Sequence, residues 1–276
     1  MSTAAWCSRS ETECGHRRER VNEAVPDSRV IVTGGTSGLG LAMARALSRA
    51  GARVVVAGRS QARAETVAAE LGPTAIGVAL DVRDEESVQD GIEQVYERLG
   101  GVEMLVNNAG IGMRTVNPRF MSEPQPFWEV SRRGFRDVVE TKLTGTFLVA
   151  RAVVPRMLAA GGGRVVNVSM NEQTMTRRGF TPYGPSGAAV EALSRVMAAD
   201  LEGSSVTVNI LLPGGATATG MIPPDVPAEA RTGLLDPAIM GPPIVWLAGA
   251  DAREVHDERI VATQFPEWLQ RRRARG

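Results

Sequence analysis

The stretch Thr33-Gly34-Gly35-Thr36-Ser37-Gly38-Leu39-Gly40 decides the fold of this chain. It follows the apolar run Val30-Ile31-Val32 and precedes a helical pattern that begins at Leu41. Glycines at a turn between a strand and a helix let the backbone adopt positive φ angles and approach a ligand closely. The first N–H groups of the following helix, at the positive end of its dipole, would then face a pyrophosphate. The octapeptide therefore predicts a dinucleotide-binding turn.

The composition limits the class of protein. The chain has 276 residues, of which 43% are hydrophobic, with 31 basic and 31 acidic side chains. This is enough for one large α/β domain. A net charge of zero argues against a nucleic-acid or anionic-membrane surface, and no apolar run reaches the ~20 residues of a transmembrane helix. The only cysteines, Cys7 and Cys14, suit a reducing cytoplasm better than a disulfide scaffold.

The two ends of the chain differ from the part between them. Residues 1–28 show neither helical nor strand periodicity, so we expect a disordered extension there. Residues 266–276 include three consecutive arginines and are interpreted as a solvated basic tail. No metal site is expected, since Cys7, Cys14 and His16 lack a fourth ligand.

Residues 29–265 alternate short apolar runs with longer amphipathic runs. This alternation predicts a single α/β domain, a Rossmann-type doubly wound parallel sheet of about seven strands with helices on both faces. Predicted strands are residues 29–33, 53–57, 75–80, 102–106, 163–168, 206–211 and 259–264. Predicted helices are residues 39–49, 60–71, 84–98, 131–159, 183–202 and 237–248. Two long connections, about residues 111–130 and 212–236, follow strand ends and are predicted to form lids over a site.

The residue after the second strand indicates which nucleotide is bound. The acidic side chain that would bond an adenosine ribose is absent, because Gly58 stands there and Arg59 follows. An arginine at this place can hold a 2′-phosphate. We therefore expect NADP(H) rather than NAD(H), with a solvated loop arginine as the alternative interpretation of Arg59.

Several motifs resemble, in order and spacing, those of the short-chain dehydrogenase/reductase family over residues 29–265. They are the glycine octapeptide, Asp81-Val82, Asn107-Asn108-Ala109-Gly110, Tyr183 and Pro213-Gly214. The resemblance implies an NADP(H)-dependent oxidoreductase. It also implies a homodimer or homotetramer that pairs the helices near residues 131–159 and 183–202.

The cofactor-binding residues follow from this resemblance and from Arg59. Thr217 competes with Thr219 as the threonine of the nicotinamide-side loop, and the asparagines of the fourth strand could also bond backbone at the strand end. The resulting set is Thr33, Gly34, Thr36, Ser37, Gly38, Leu39, Gly40, Arg59, Asp81, Val82, Asn108, Ala109, Gly110, Tyr183, Pro213, Gly214 and Thr219.

The catalytic positions depart from the family pattern. Tyr183 matches the tyrosine, but Gly187, Met170 and Lys142 stand where the family has a lysine, a serine and an asparagine. A tyrosine, with its pKa near ~10, needs a neighbouring cation to ionise at neutral pH. A thioether cannot donate a hydrogen bond to a carbonyl oxygen. Both changes predict weaker carbonyl reduction, by ~10²-fold or more for each lost contact.

Lys142 is the only lysine in the chain. We predict that its ammonium replaces the missing one and supports Tyr183 and the nicotinamide ribose across the space that Gly187 vacates. The alternatives are coincidental drift of the site or a side chain that extends to solvent.

The substrate side of the site has two candidate features. The neighbouring Ser169 does not replace the missing hydroxyl donor, because its side chain should point the other way on a strand. Of the two loop residues that remain, Asn171 is a better substitute than Gln173. The loop Ile111–Val130 predicts an apolar pocket wall, with a packed surface loop or a subunit contact as the alternative. Its large side chains are Met113, Phe120, Met121, Pro126, Phe127 and Trp128.

Three functions are compatible with these residues. The first is an NADP(H)-dependent reductase or dehydrogenase that acts on an apolar carbonyl or alcohol, with Tyr183 as proton donor. The second is a non-redox cyclase, isomerase or dehydratase, which the loss of a donor at Met170 favours. The third is a catalytically silent NADP(H)-binding protein. Fold alone does not separate them.

Overall fold

Seven parallel strands form one sheet in this computed structural model, which describes residues 25–274. The strands are β1 Arg29–Thr33, β2 Arg53–Gly58, β3 Ile76–Ala79, β4 Met104–Asn107, β5 Gly163–Val168, β6 Val206–Leu212 and β7 Arg259–Val261. Their order across the sheet is β3-β2-β1-β4-β5-β6-β7. The order reverses between β1 and β4, which creates a crevice beyond their carboxyl ends. The predicted Rossmann-type sheet is confirmed.

The central residues of most strands are apolar because both faces of the sheet are covered. Val30, Ile31 and Val32 of β1 are fully buried. In the parallel register, Val30 faces Val54 of β2 on one side and Met104 of β4 on the other.

Helices cover both faces of the sheet. They are α1 Gly38–Arg49, α2 Gln61–Leu71, α3 Glu85–Leu99, α4 Arg132–Val139, α5 Gly145–Ala159, α6 Glu172–Met175, α7 Tyr183–Asp200, α8 Ala228–Arg231, α9 Gly241–Ala248 and α10 Phe265–Arg273. One apolar core contains side chains of α1, α2, α9 and α10, and a second contains side chains of α3, α5 and α7. Because the helices cover the two faces of the sheet, a ligand can bind at the carboxyl ends of its strands.

Three elements differ from the sequence prediction. The helix predicted over residues 131–159 is divided by a π-helical turn, Glu140–Thr144, which contains Lys142. The last strand ends at Val261, and a 3₁₀ turn takes up residues 262–264. Residues 266–273, interpreted as part of a basic tail, belong to α10, which buries Phe265 and Leu269.

Residues ahead of the predicted domain boundary at residue 29 pack against the domain. Val25 is buried, and its N–H donates to the carbonyl oxygen of Ala50 at 2.8 Å. The rest of the predicted extension, with Cys7, Cys14 and His16, lies outside the described residues. Within residues 25–274, no helix has both the length and the apolar character to cross a membrane.

Candidate active site

The glycine turn forms a backbone cradle at the start of α1. Gly34 and Gly38 have φ angles of 63° and 55°, which favour glycine. A side chain at Gly40 would overlap the carbonyl oxygen of Gly34 and the amide of Asn108. The turn therefore presents N–H groups and no side-chain bulk at the helix N-terminus, which fits a pyrophosphate.

Thr33 and Asn108 fasten this turn to the end of β4. The hydroxyl of Thr33 accepts hydrogen bonds from the backbone N–H groups of Asn108 and Ala109, both at 3.0 Å. The side-chain amide of Asn108 donates to the carbonyl oxygens of Thr33 at 3.0 Å and Gly34 at 3.3 Å. Asn108 therefore positions the cradle, the backbone role that the sequence left open.

The end of β2 carries the features expected for a 2′-phosphate. A side chain at Gly58 would lie 2.9 Å from the methyl group of Thr36, so an acidic residue does not fit there unless Thr36 moves. Arg59 is exposed beside this gap. The guanidinium of Arg63 approaches the carbonyl oxygen of Thr36 at 3.5 Å. Two arginines therefore lie next to Gly58 and Thr36, and position 58 itself carries no acidic side chain.

Asp81 and Val82 follow β3. The carboxylate of Asp81 forms an ion pair with Arg83 at 2.7 Å, and this contact, helped by the charge of Arg59, lowers the pKa of Asp81. Val82 is buried, and its side chain fills the space over Gly145 of α5. The side chain of Val82 therefore packs in the interior between β3 and α5.

The loop after β6 returns to the glycine turn. Gly214 has a φ of 97°, and a side chain there would collide with Thr263. The methyl group of Thr219 lies 3.4 Å from the position that a side chain at Gly38 would take. Thr217 is buried, and its hydroxyl donates to the carbonyl oxygen of Gly215 at 3.2 Å. The geometry therefore favours Thr219 over Thr217 as the residue that faces the cofactor.

The structure brings Lys142 and Tyr183 together at the carboxyl end of β5. Lys142 is 8% exposed, and its Nζ lies 5.6 Å from the centroid of the Tyr183 ring. The same Nζ donates to the carbonyl oxygen of Val168 at 3.5 Å. Burial lowers the pKa of Lys142 to about 8, although the charge of Glu191 opposes the shift. The alternative of a lysine extended to solvent is excluded.

The space at Gly187 is filled by Met170, contrary to the expectation that Lys142 crosses it. A Cβ at Gly187 would lie 2.5 Å from Cε and 2.9 Å from Sδ of Met170. Met170 is buried, so the two substitutions form one packed pair. Lys142 therefore reaches Tyr183 from the π-helical turn without using the space over Gly187.

The hydroxyl of Tyr183 faces the loop after β6. Its contact is the sulfur of Met221 at 3.8 Å, and Met221 also covers Gly112 on the opposite lid. Burial raises the pKa of Tyr183. The side chain is therefore a neutral phenol at neutral pH, able to donate a proton, and the expected lowering of its pKa by Lys142 is not observed.

Asn171 is tied to the cofactor loop and not free to replace a serine. Its side-chain amide donates to the carbonyl oxygen of Gly214 at 3.0 Å. The hydroxyl of Ser169 donates to the carboxylate of Glu191 at 2.7 Å. Glu191 in turn forms an ion pair with Arg259 at 2.9 Å.

Sequence reasoning missed Glu191 and Arg259, and it gave Met221 no role beyond its place in the loop after β6. Glu191 follows Tyr183 by eight residues on α7, about two helical turns, which would have placed it near the same side of the helix. Arg259 gave no signal, because its contact with Glu191 joins residues far apart in the chain.

The lid predicted as an apolar wall divides into two parts. Met113 and Phe120 are buried and pack with Phe180, next to Tyr183. The rings of Phe120 and Phe180 meet edge to face at 5.4 Å. In contrast, Phe127 and Trp128 are 68% and 73% exposed and lie outside this cluster. Only the first half of the loop therefore adjoins the site.

Comparisons with known proteins identify the family. The chain matches the short chain dehydrogenase family over residues 28–229. It is 32% identical over 225 residues to 2,5-dichloro-2,5-cyclohexadiene-1,4-diol dehydrogenase of Sphingobium indicum, which covers 80% of this chain and 86% of that protein. The chain therefore belongs to the short-chain dehydrogenase/reductase family, and the predicted family is confirmed.

Solved structures agree with this membership. A 3-ketoacyl-(acyl-carrier-protein) reductase from Brucella melitensis, complexed with NADH, has a TM-score of 0.76 and 26% identity, over 86% of this chain and 97% of that one. A gluconate 5-dehydrogenase from Burkholderia cenocepacia, in complex with NADP and tartrate, has a TM-score of 0.77 and 26% identity, over 89% and 98%. The protein is a dehydrogenase/reductase that uses a nicotinamide cofactor.

Proposed function

We propose that the protein is an NADP(H)-dependent oxidoreductase in which Tyr183 exchanges a proton with a carbonyl or alcohol substrate and Lys142 supplies the adjacent positive charge. The observation that carries the proposal is the buried ammonium of Lys142, 5.6 Å from the centroid of the Tyr183 ring. Met113, Phe120 and Phe180 give the neighbouring pocket its apolar character.

Different residues of the chain have different roles in carbonyl reduction. When bound, the reduced nicotinamide supplies a hydride to the carbonyl carbon. Tyr183, kept protonated by burial, donates its hydroxyl proton to the carbonyl oxygen. Lys142, charged at neutral pH, stabilises the negative charge that the transfer leaves near the phenol oxygen. Met221 of the loop after β6 packs over Gly112 of the loop after β4, and this contact between the two predicted lids limits the access of water.

The proposed cofactor contacts follow the cradle and the loop after β6. The backbone of the glycine turn holds the pyrophosphate, with Thr33 and Asn108 fixing its shape. Thr219 and Gly214 face the nicotinamide side. The remaining proposed contacts are Gly34, Thr36, Ser37, Gly38, Leu39, Gly40, Asp81, Val82, Ala109, Gly110, Tyr183 and Pro213.

Arg59 and Arg63 support NADP(H) as the preferred cofactor, since Arg59 directly follows Gly58 and the guanidinium of Arg63 lies 3.5 Å from the carbonyl oxygen of Thr36. Replacement Arg59→Ala should raise the Kd of NADPH about tenfold, because a hydrogen bond to a charged group contributes ~1.5–3 kcal/mol. NADH, which lacks the 2′-phosphate, serves as the control in a fluorescence titration and should be unaffected. A wild-type protein that binds NADH as tightly as NADPH would contradict the assignment.

Stoichiometric consumption of NADPH with a panel of ketones tests the redox function. Tyr183→Phe should lower kcat by ~10²–10⁴-fold, the usual contribution of a positioned proton donor, while NADPH binding persists. Met170, which cannot donate to a carbonyl oxygen, favours one second candidate: a non-redox cyclase, isomerase or dehydratase on the same scaffold. Product formation without a change in NADPH absorbance would support that candidate instead.

We further propose a homodimer or homotetramer in the cytoplasm. Phe147 and Leu158 on α5 and Val196 on α7 are 44%, 41% and 56% exposed, and both helices are those that the family pairs between subunits. Exposed apolar side chains on neighbouring helices are typical of a subunit contact. The low cysteine count suits a reducing compartment.

A further inference from the structure

Lys142 has hydrogen-bonding capacity that the protein leaves unused. An ammonium carries three N–H donors. Within residues 25–274, Lys142 meets one acceptor, the carbonyl oxygen of Val168, at 3.5 Å, which is the outer limit of a hydrogen bond. The side chain is 8% exposed, so water compensates little of this deficit. A buried ammonium with free donors is costly, and the free donors therefore indicate a ligand.

The charges around Lys142 also leave one positive charge uncompensated. Glu191 is the carboxylate that acts on Lys142. The same carboxylate forms an ion pair with Arg259 at 2.9 Å and accepts the hydroxyl hydrogen of Ser169 at 2.7 Å. One carboxylate thus serves two cations, and the direct contact belongs to Arg259. The unbalanced charge lies on Lys142, at the carboxyl end of β5.

The surroundings of Lys142 define what kind of ligand fits. The hydroxyl of Tyr183 is a second donor, and its contact within the described residues is the sulfur of Met221 at 3.8 Å. Met170, Phe120 and Phe180 are buried and apolar. A ligand that satisfies this site offers an acceptor to the phenol and an anion to the ammonium, and is apolar elsewhere.

Resting on the proposed function, we infer that Lys142 binds a carboxylate of the substrate while Tyr183 bonds the reacting oxygen. The substrate class is then an apolar 2-oxo or 3-oxo acid, or the corresponding hydroxy acid, and not a neutral ketone. Lys142 then determines the specificity for acids. An asparagine at position 142, which carries no charge, would not distinguish an acid from a neutral ketone. A charge-assisted hydrogen bond to a carboxylate would offset the free-energy cost of burying the ammonium.

Two unreactive probes of equal shape test this inference. The enzyme saturated with NADP⁺ is titrated in a calorimeter with 3-phenylpropanoate and with 3-phenylpropanamide. We expect the acid to bind at least about tenfold more tightly, because hydrogen bonds between charged groups contribute ~1.5–3 kcal/mol and ~1.4 kcal/mol is a factor of ten. This comparison uses the wild-type protein and does not depend on whether a variant folds.

A pair of variants then assigns the preference to Lys142. Lys142→Met removes the charge and keeps an unbranched apolar chain, and it should abolish the preference for the acid. Arg178→Met removes an exposed charge from the nearby loop and should preserve it. The affinity of Lys142→Met for NADPH, measured by fluorescence, should stay close to that of wild type, because the ammonium then contacts the substrate carboxylate and not the nicotinamide ribose expected from the sequence.

Several results would overturn the inference. They are equal binding of acid and amide, failure of the acid to bind at millimolar concentration, and a preference that persists in Lys142→Met. A large loss of NADPH affinity in Lys142→Met with the acid preference intact would assign the ammonium to the cofactor ribose. NADPH-dependent reduction of neutral ketones without preference for acids would reject the inference and leave the proposed function standing. Failure of the wild-type protein to bind NADPH would reject both.

Discussion

The buried charge of Lys142 lowers the free energy of unfolding, and the same charge is the one that the proposed chemistry uses. Its pKa falls from 10.5 to about 8 because burial disfavours the ammonium. The unfolded chain therefore holds the proton more tightly than the folded chain between these values. At neutral pH the ammonium is nevertheless retained, which is expected for a group with a function and not for one that maintains the core.

Lys142→Met should therefore raise the free energy of unfolding at pH 7. A shift from 10.5 to about 8 corresponds to about 3 kcal/mol at ~1.4 kcal/mol per pKa unit, as an upper bound on the gain. The folded-state pKa is the lower one, so the penalty is complete below pH 8 and disappears as the pH rises to 10.5. Urea unfolding of both proteins between pH 6 and pH 10.5 measures the difference. A variant less stable than wild type at pH 7 would indicate a protein partner for the ammonium.

The two halves of the packed pair Met170 and Gly187 come from different elements, the end of β5 and α7. The thioether occupies the space of a missing side chain, so each residue makes the other acceptable. Together they give a buried apolar contact between the two elements.

A double-mutant cycle should reveal this coupling as a change in the free energy of unfolding. Met170→Ala should cost ~2–5 kcal/mol, because it leaves a cavity. Gly187→Ala should be more favourable in the Met170→Ala background than in wild type, since the new methyl group no longer meets Cε of Met170. The coupling should lie in the range of ~0.5–3 kcal/mol for residues in contact. Additive effects would show that the two residues vary independently.

The elements differ in how far the sequence predicts them. The glycine turn and the strands follow from local requirements, namely positive φ at Gly34 and apolar runs buried on both faces. The π-helical turn could not be predicted from the sequence, because one inserted residue barely alters the helical periodicity. The helix α10 was missed since only Phe265 and Leu269 mark its buried side among arginines.

The site was predictable where single residues carry a unique signal. Lys142, as the only lysine, could be placed near Tyr183 from its position in the motif. The filling of Gly187 by Met170 and the tether of Asn171 to Gly214 could not. Both depend on side-chain packing between elements remote in sequence, which no local pattern encodes.

At the scale of the whole molecule, the exposed apolar side chains of α5 and α7 predict self-association. Val196→Glu should place a charge in the proposed contact and shift the protein toward a monomer in sedimentation velocity. Ala69→Glu, on the exposed side of α2, adds the same charge away from that contact and should leave the assembly intact. A wild-type protein that sediments as a monomer at micromolar concentration would contradict the proposed assembly.

The single lysine also allows the central claim, a buried ammonium beside Tyr183, to be measured directly. Protein labelled with ¹³C at the Cε atoms of lysine gives one side-chain resonance, that of Lys142, whose chemical shift follows its protonation. We predict a titration midpoint near 8 in the free protein, and a higher midpoint when 3-phenylpropanoate binds, because an adjacent anion favours the charged form. A midpoint of 10.5, unchanged by the probe, would mean that Lys142 is solvated and not buried beside Tyr183.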